Sequence, residues 1–550
     1  MKGNKSQSWN ISKGISIYLR RDSSRFYGCL RIDGKYYRKS LNTEDKDLAK
    51  ELVLEWNTAL KEKLLSEEPK LNSKPKDVDL EYSLDDKYLL DTGKVFLTGT
   101  QALVRLPIIQ RKLDFENGLN TAGYISGYTG SPLGGYDHAL IQASDFLDDN
   151  NIVFQPGVNE DLAATAVHGS QQTTLVEKPK YDGVFGVWYG KGPGVDRSGD
   201  AIKHGNYAGT SKYGGVLALA GDDHGAKSST IAHQSDHAFI HFGMPILNPA
   251  SVQDYLDFGI LGWAMSRYSG CWVGFKCITD TVESAASVDI SLDRFKPKIP
   301  NIKEIDDENL HIQWGFPPAA AEPRLYKQRL PAAQAFAKVN SIDKTIFKGV
   351  KKLAIVTSGK AYLDVRQALE ELGLSELTCK TIGISLYKVG MIWPLEDTKI
   401  LDFVNGHKEI LVVEEKRPII EDQLTKYLYN KKNRPILVGK EDENGNFLVP
   451  SEGELSPSSV ALIIAQRIIK LGLKIDLSER VAYIEDFISK INSSPASNLF
   501  RLPSFCAGCP HNTSTNVPDD SFAFGGIGCH GMATFIPERK TFNLSQMGGE

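Results

Sequence analysis

Three cysteines near the end of the chain have a spacing that can hold a metal ion or a cluster. Cys506 and Cys509 lie in the segment Phe505-Cys-Ala-Gly-Cys-Pro-His511, and Cys529 follows in Gly525-Gly-Ile-Gly-Cys-His530. A C-x2-C pair lets two thiolates converge from one tight loop, and a third cysteine can close the site from a neighbouring turn. Metal or cluster chemistry is therefore the first hypothesis for this segment.

Spacing alone leaves several interpretations of these cysteines open. Iron–sulfur clusters are normally held by four thiolates, and only three stand here in a credible arrangement. A zinc site could use the same three cysteines with His511 or His530. A C-x2-C pair near a βα unit can also be a redox dithiol, and cysteines in glycine-rich loops can be unliganded.

Glu160 is a second candidate for chemistry. It lies in Gly157-Val-Asn-Glu-Asp-Leu-Ala-Ala-Thr-Ala-Val-His-Gly169, where a helix is expected to begin after a strand at Ile152–Gln155. The small residues that follow allow this helix to pack closely. Taken alone, an acid in a first helical turn is explained by favourable interaction with the helix dipole.

Two glycine-containing loops complete the candidates. Gly127-Tyr-Thr-Gly-Ser-Pro-Leu-Gly-Gly135 directly follows an expected strand, and its glycines allow close approach of backbone to a ligand, although a plain turn fits equally well. Gly221-Asp-Asp-His-Gly-Ala-Lys-Ser228 superficially looks like a P-loop. Ala226 stands where that motif needs its second glycine, and two aspartates would repel phosphates.

In their joint order, these motifs resemble the thiamine-diphosphate-dependent 2-oxoacid:ferredoxin oxidoreductases, specifically the indolepyruvate ferredoxin oxidoreductase family. The resemblance covers roughly residues 88–550. It implies that Cys506, Cys509 and Cys529 ligate a [4Fe–4S] cluster whose fourth cysteine lies further downstream. Gln546-Met-Gly-Gly-Glu550 resembles a segment just ahead of the family's Mg²⁺-binding region, and the sequence ends before that region.

The resemblance also implies roles for residues of the two loops and the helix. Glu160 matches the glutamate that bonds N1′ of the cofactor's aminopyrimidine, and Ser131, next to Gly130, matches the hydroxyl residue that faces substrate and cofactor. Thr129 departs from the arginine expected in close relatives of the indolepyruvate branch. The loop 221–228 resembles one that lies near the substrate, which makes Lys227, Ser228 and His233 candidates for polar contacts; an ordinary loop cap is the alternative.

The implied reaction is the coenzyme A-dependent oxidative decarboxylation of a 2-oxoacid, with an aryl 2-oxoacid such as indolepyruvate as substrate and ferredoxin as electron acceptor. The implied cofactors are thiamine diphosphate, Mg²⁺ and the cluster. Because the fourth thiolate and the Mg²⁺ segment are missing from the sequence, we expect this chain to be inactive alone. A homodimer is expected by analogy. The rival hypothesis is a thiamine-type fragment that holds zinc or no metal.

An α/β architecture with buried parallel strands is expected from residue 88 onward, because short apolar runs end in polar, glycine-containing loops and are followed by helices. We expect a pyrimidine-binding-type domain at 88–295, a connection at 296–345, a transketolase-C-like domain at 346–475 and the start of a diphosphate-binding, iron–sulfur domain at 476–550. Residues 66–87 are expected to be a linker.

Residues 10–65 differ from the remainder. Their short aromatic and β-branched runs, with a tight-turn signal at Asp33-Gly34, predict three strands and one helix in a small basic module. This pattern resembles the N-terminal arm-binding domain of tyrosine recombinases. DNA binding through this module is the functional hypothesis, and a small solvated basic module is the alternative.

The bulk composition is that of an ordinary globular protein. The 550 residues are 41% hydrophobic and 24% charged, with a formal net charge of −4, which does not call for a nucleic acid or an anionic membrane as the main partner. No apolar run reaches the length of a membrane span and the N-terminus has no signal-like apolar region, so a cytoplasmic location is expected.

Overall fold

The computed structural model describes residues 8–12, 15–19, 24–32, 35–66, 82–229, 231–302, 305, 310–315, 317–493 and 504–544. The chain divides into two units, Met1–Asp86 and Lys87–Glu550. Most of the expected linker and the segment Gln546–Glu550 lie outside the described residues. Within these ranges, no helix combines the length and apolar character that crossing a bilayer requires.

The first unit contains four strands rather than the three predicted. They form one antiparallel sheet in chain order, followed by a single helix: β1 (Ser8–Ser12), β2 (Ile15–Leu19), β3 (Phe26–Ile32), β4 (Lys35–Ser40) and α1 (Lys46–Ser66). The prediction missed β1 because Trp9 and Ile11 are its only apolar residues. Both are half-buried against the core between the sheet and α1.

The second unit begins with a large, mostly parallel sheet. Its strand order is β16-β10-β11-β9-β8-β6-β7, and helices cover both faces, as expected for buried parallel strands. The strands from this part of the chain are β6 (Thr121–Gly127), β7 (Ile152–Phe154), β8 (Gly183–Lys191), β9 (Val216–Gly221), β10 (Ile246–Leu247) and β11 (Val273–Lys276). β5 (Lys94–Thr98) and β12 (Ala285–Asp289) form a separate antiparallel pair.

The helices of this part begin and end at recognisable caps. Ser251 caps α10, which ends at Gly270 in the left-handed conformation, and the capping box of Thr98 and Gln101 begins α3. The helices are α2 (Asp86–Leu89), α3 (Gly99–Glu116), α4 (Tyr136–Gln142), α5 (Ser144–Asp148), α6 (Glu160–Gln171), α7 (Gly192–Arg197), α8 (Gly199–Ala208), α9 (Asp236–Phe242), α10 (Val252–Ser269) and α11 (Thr279–Val282).

A second parallel sheet follows, in the order β13-β15-β14-β17-β18, with only β13 antiparallel to its neighbour. Its strands are β13 (Lys344–Phe347), β14 (Leu353–Ser358), β15 (Ile384–Val389), β17 (Glu409–Val413) and β18 (Ile436–Val438). The accompanying helices are α12 (Pro318–Arg324), α13 (Leu330–Asn340), α14 (Gly359–Glu371), α15 (Glu376–Ile382), α16 (Asp397–Val404), α17 (Ile420–Leu428), α18 (Pro457–Lys470) and α19 (Ser478–Ser493).

The two sheets are tied together by a strand and a shared core. β16 (Met391–Trp393) leaves the second part and pairs antiparallel with β10 at the edge of the first sheet. One cluster of buried side chains extends from Trp188 in the first sheet to Val356 and Val412 in the second. Helix α19 packs on the second sheet through Ile484, so this layer continues beyond residue 475.

Residues 504–544 contain the cysteine segment. They form the short helix α20 (His511–Ser514) and a parallel pair of strands, β19 (Ala523–Gly525) and β20 (Thr541–Leu544).

Candidate active site

Glu160 lies at the first position of α6, directly after the loop that follows β7. The Asn159 side chain caps this helix by accepting a hydrogen bond from the backbone N–H of Leu162 at 2.8 Å. The Glu160 side chain points inward and is only 1% exposed. The Trp188 indole of β8 donates to the backbone oxygen of Glu160 at 2.9 Å, which fixes the start of the helix against the sheet.

Two glycines make room for this carboxyl group. A Cβ atom at Gly194 would lie 2.6 Å from Cγ and 2.7 Å from Oε1 of Glu160, and one at Gly190 would lie 3.4 Å from Cγ. Neither glycine has a positive φ, so the requirement here is space rather than backbone conformation. The sequence analysis did not single out either glycine; the run Gly190-Lys-Gly-Pro-Gly194 after a buried strand was the available signal.

The surroundings of the Glu160 carboxyl shift its pKa upward. Burial raises the pKa of this carboxyl, and a hydrogen bond from backbone N–H and the nearby Arg197 offset the effect only in part. Oε2 is buried and has no hydrogen-bond partner among the described residues. Buried carboxyl oxygens are normally satisfied, so this atom is suited to a partner that the chain itself does not supply.

The glycine loop 127–135 lies beside the Glu160 loop. The N–H of Gly157 donates to the backbone oxygen of Gly127 at 2.8 Å, which joins the two loops at the carboxyl ends of β6 and β7. Gly130 lies on the side chain of Lys191, and a Cβ atom there would be 3.1 Å from the Lys191 Cβ. The peptide bond between Ser131 and Pro132 is cis.

The loop after β9 is held by Asp223. Its carboxylate accepts from the backbone N–H groups of Lys227 and Ser228, and from the Ser228 hydroxyl at 3.2 Å. The hydroxyl of Ser228 therefore acts as a loop cap here. The ammonium group of Lys227 lies 2.6 Å from Oε2 of Glu454 in the second layer. The substrate contacts predicted for Lys227 and Ser228 remain predictions.

His233 lies close to the Glu160 pocket. Its ring packs over Gly192, where a Cβ atom would be 2.5 Å from the ring. Its Nε2 is 3.4 Å from Oδ2 of Asp196, and this contact raises the pKa of the imidazole. The structure thus brings His233, Lys191, Gly130 and Glu160 to one edge of the first sheet, where ligands bind in open α/β folds.

A buried ion cluster joins the carboxyl ends of β9 and β11 to the start of α9 at this edge. The Lys276 ammonium of β11 is bonded to Asp222 and lies 2.8 Å from Asp236. Asp222 also accepts a hydrogen bond from the hydroxyl of Ser235 at 2.6 Å. Burial would raise the pKa of Asp222, but the charge of Lys276 and the hydrogen bonds from Lys276 and Ser235 hold it at about 2. The sequence analysis missed this cluster because its members are 14 to 54 positions apart.

The cysteine segment places its thiols near the surface. Cys506 and Cys529 are exposed and Cys509 is half-buried, whereas Cys271, Cys277 and Cys379 are buried. The Sγ of Cys509 lies 3.3 Å from Nδ1 of His511, whose ring centroid is 6.1 Å from that of His530.

In residues 504–544 and elsewhere in the described chain, no three His, Cys, Asp or Glu side chains are arranged to hold a metal ion. The ligand set predicted for Cys506, Cys509 and Cys529 therefore remains a prediction. Accessible thiols on one short segment fit the donor chemistry of a cluster, and the structure does not bring them together as a finished site.

Known proteins match this chain over most of its length. A family model described as the indolepyruvate ferredoxin oxidoreductase middle domain matches residues 343–496. Indolepyruvate oxidoreductase subunit IorA of Pyrococcus horikoshii is 23% identical over 472 residues, 83% of this chain and 64% of the relative. The same subunit of Methanothermobacter thermautotrophicus is 25% identical over 336 residues, 60% of this chain and 48% of the relative.

A solved structure has the same fold. It is a 2-oxoglutarate:ferredoxin oxidoreductase from Magnetococcus marinus with 2-oxoglutarate, coenzyme A and succinyl-CoA bound. Its TM-score is 0.50 at 14% identity, with 78% of this chain and 75% of that chain covered. The chain spans about half to two thirds of the length of the curated relatives that it matches. Within this chain, residues 343–496 are thus similar to the middle domain of the indolepyruvate ferredoxin oxidoreductase family.

Proposed function

We propose that this chain contributes the aminopyrimidine-binding side of a thiamine-diphosphate-dependent 2-oxoacid:ferredoxin oxidoreductase. The reaction is oxidation of a 2-oxoacid with coenzyme A to an acyl-CoA and carbon dioxide, and the two electrons pass singly to two ferredoxins. An aryl 2-oxoacid such as indolepyruvate is the proposed substrate class. The observation behind the proposal is the buried Oε2 of Glu160, which lacks a partner among the described residues.

The residues at this edge suit that cofactor. Thiamine diphosphate, when bound, supplies the electron sink for loss of carbon dioxide. The carboxyl of Glu160 would hold a proton at N1′ of the aminopyrimidine and favour its imino tautomer. The elevated pKa of Glu160 serves this task, because a protonated carboxyl can donate the hydrogen bond. Gly130 and Ser131 would contact the cofactor, and Ser131 would also face the substrate. Lys227, Ser228 and His233 are further proposed polar contacts to the substrate.

The test is a comparison of Glu160→Gln with Glu177→Gln, an exposed glutamate in the loop before β8. In the complete enzyme that contains this chain, with thiamine diphosphate and Mg²⁺ added, the wild type should show the near-ultraviolet circular dichroism of the imino tautomer. It should also speed deuterium exchange at C2 of the cofactor. Loss of a positioned acid–base group costs about 10²–10⁴-fold, so E160Q should slow this exchange by at least about 100-fold, while E177Q leaves it unchanged. Equal exchange in both variants would refute the role of Glu160.

We propose that Cys506, Cys509 and Cys529 supply three thiolates to a [4Fe–4S] cluster. Support comes from the resemblance of this segment to the cysteine motif of 2-oxoacid:ferredoxin oxidoreductases and from its accessible thiols. The complete enzyme that contains this chain, expressed without oxygen, should contain iron and acid-labile sulfide in equal amounts, and Cys506→Ser should lower both. Cys379→Ser, at a buried cysteine of α15, is the matched control. One zinc per chain without sulfide would overturn the cluster and support a zinc site.

A second function is proposed for the first unit, namely binding of DNA. Residues 8–40, which form its sheet, contain eight lysines and arginines against two aspartates, while residues 41–66 have four against six. The excess of positive charge therefore lies in the stretch of sequence that contains the four strands. Tyr18 and Tyr27 stack across neighbouring strands at 5.7 Å, and the register aligns Ser16, Cys29 and Arg38 in one row. A basic, aromatic sheet suits a polyanion.

Fluorescence anisotropy with a duplex DNA would test this function. The logarithm of the association constant of the full chain for DNA should fall steeply and linearly with the logarithm of the salt concentration, because phosphate contacts release counterions. Deleting residues 1–80 should abolish binding. Binding that survives the deletion, or that does not depend on salt, would contradict the proposal.

A further inference from the structure

Lys191 is a buried cation without an acidic partner at the edge of the candidate site. It is the last residue of β8 and is 8% exposed. Its ammonium group donates to the backbone oxygen of Ser228 at 2.7 Å. No carboxylate of the described residues lies within 4.0 Å of the ammonium group, so it forms no ion pair with them. After the bond to Ser228, two of its three N–H donors remain for another partner.

Lys191 also has no structural task that requires its charge. It occupies the N-cap position of α7, where its ammonium group, which has no acceptor, cannot bond the free backbone N–H groups of the helix. Asp223 is the nearest source of negative potential, but that carboxylate already accepts three hydrogen bonds from its own loop. Burial lowers the pKa of the Lys191 ammonium, and Asp223 counteracts this only in part. A buried cation normally has a counter-ion, and the described residues supply none in contact.

The surroundings of Lys191 place it within the candidate site. The aliphatic part of its side chain runs beneath Gly130, one residue before Ser131. Its neighbours Gly190 and Gly192 lie against the Glu160 side chain and the His233 ring, respectively. The Lys191 side chain therefore extends from the glycine loop to the loop after β9, one residue from the glycine that contacts Glu160.

We propose that Lys191 binds the carboxylate of the 2-oxoacid substrate and so distinguishes 2-oxoacids from uncharged ketones and aldehydes. This inference rests on the proposed function of the same site. Thr129 cannot provide a cation, and its hydroxyl is directed back to the backbone oxygen of Gly134 at 3.3 Å. Lys191 contacts the same loop from the neighbouring strand. The carbonyl of Ser228, held in place by Asp223, orients the ammonium, which makes Asp223 a positioning residue.

The experiment compares the binding of two ketones, one with a carboxylate next to the keto group and one with a methyl group in its place. Phenylpyruvate contains the carboxylate, and 1-phenyl-2-propanone is the corresponding ketone without it. Dissociation constants are measured by calorimetry on the complete enzyme that contains this chain, with thiamine diphosphate and Mg²⁺ present. The proteins are wild type, Lys191→Met, Lys191→Arg and Lys327→Met, the last at an exposed lysine that serves as control.

Lys191→Met should weaken phenylpyruvate binding about 10- to 100-fold, the range for a lost charge-assisted hydrogen bond. It should leave the ketone's affinity unchanged. Lys191→Arg should recover part of the lost affinity, and K327M should match the wild type. Phenylpyruvate, but not the ketone, should also protect Lys191 of the wild-type chain from acetylation, as read by mass spectrometry.

The outcomes separate the two proposals. If the wild type binds phenylpyruvate and K191M binds it equally well, or if Lys191 is acetylated at the same rate with and without it, the role of Lys191 is refuted and the 2-oxoacid function stands. If the wild type binds neither ligand, the 2-oxoacid proposal fails and the role of Lys191 fails with it. If K191M is misfolded by circular dichroism, the acetylation result on the wild type decides.

Discussion

Replacing Gly194 by alanine should push the Glu160 carboxyl out of place. The new Cβ atom would lie 2.6 Å from Cγ, 2.7 Å from Oε1 and 2.9 Å from Cδ of Glu160. Carbon atoms in contact prefer a separation of about 3.5 Å, so the glutamate side chain must retreat by roughly 1 Å. The backbone of Gly194 does not need glycine, since its φ is not positive. The substitution therefore tests space alone.

Two consequences follow from this crowding. Overpacking of a buried site costs about 1–3 kcal/mol, which lowers the midpoint of thermal unfolding without any cofactor present. A displacement of about 1 Å at a reacting group costs about 100-fold in rate, so C2 exchange of added thiamine diphosphate should slow by that factor. The two readouts are independent, because the first needs only the contact between Gly194 and Glu160.

Gly169→Ala is the matched control. Gly169 lies in the same helix as Glu160, and a Cβ atom there meets nothing within 4 Å. Alanine favours a helix over glycine by about 0.5–1 kcal/mol, so this variant should be as stable as the wild type or more so. An unchanged midpoint for G194A would refute the packing of Glu160 against this glycine. A lowered midpoint with normal C2 exchange would instead refute the contact between Glu160 and the cofactor.

Two further predictions concern buried charges of the second layer. Burial raises the pKa of Asp343 to about 6, so the stability associated with its protonated form is full below pH ~4 and is lost as pH rises through about 6. The free energy of unfolding in urea should therefore be compared between Asp343→Asn and the wild type at pH 4 and at pH 8. The difference should shift in favour of the variant by about 3 kcal/mol between these pH values, and a difference that does not depend on pH would contradict this. Arg467, fully buried, bonds both carboxylate oxygens of Glu409 at 2.7 and 2.5 Å. Arg467→Met should cost about 3–5 kcal/mol by leaving a buried charge, and adding Glu409→Gln should recover part of the loss; a double variant no more stable than R467M would argue against an unpaired charge as the cause.

Most of the α/β fold was accessible from the sequence, because strands buried on both faces read as continuous apolar runs. β8 and β9 are runs of this kind, and the predicted α/β class with parallel strands is confirmed. The position of Glu160 at a helix start after a strand was also predicted correctly. Its burial was not predictable, since that depends on Gly194, which approaches from a different segment. Likewise Lys191 resembled any other lysine at the end of a strand until the structure placed Gly130 and Ser228 against it.

The division between the two α/β layers was the least predictable feature, for a physical reason. β16 has three residues, too few to display a period, and it pairs with a two-residue strand of the other layer. The pattern of apolar residues in a segment predicts which of its side chains are buried. It does not predict with which strand the segment will pair. β16 completes the edge of the first sheet at β10, which is the edge opposite to β7. The sheet that carries Glu160 and Lys191 is therefore completed by residues up to 233 positions away from Glu160 in the chain.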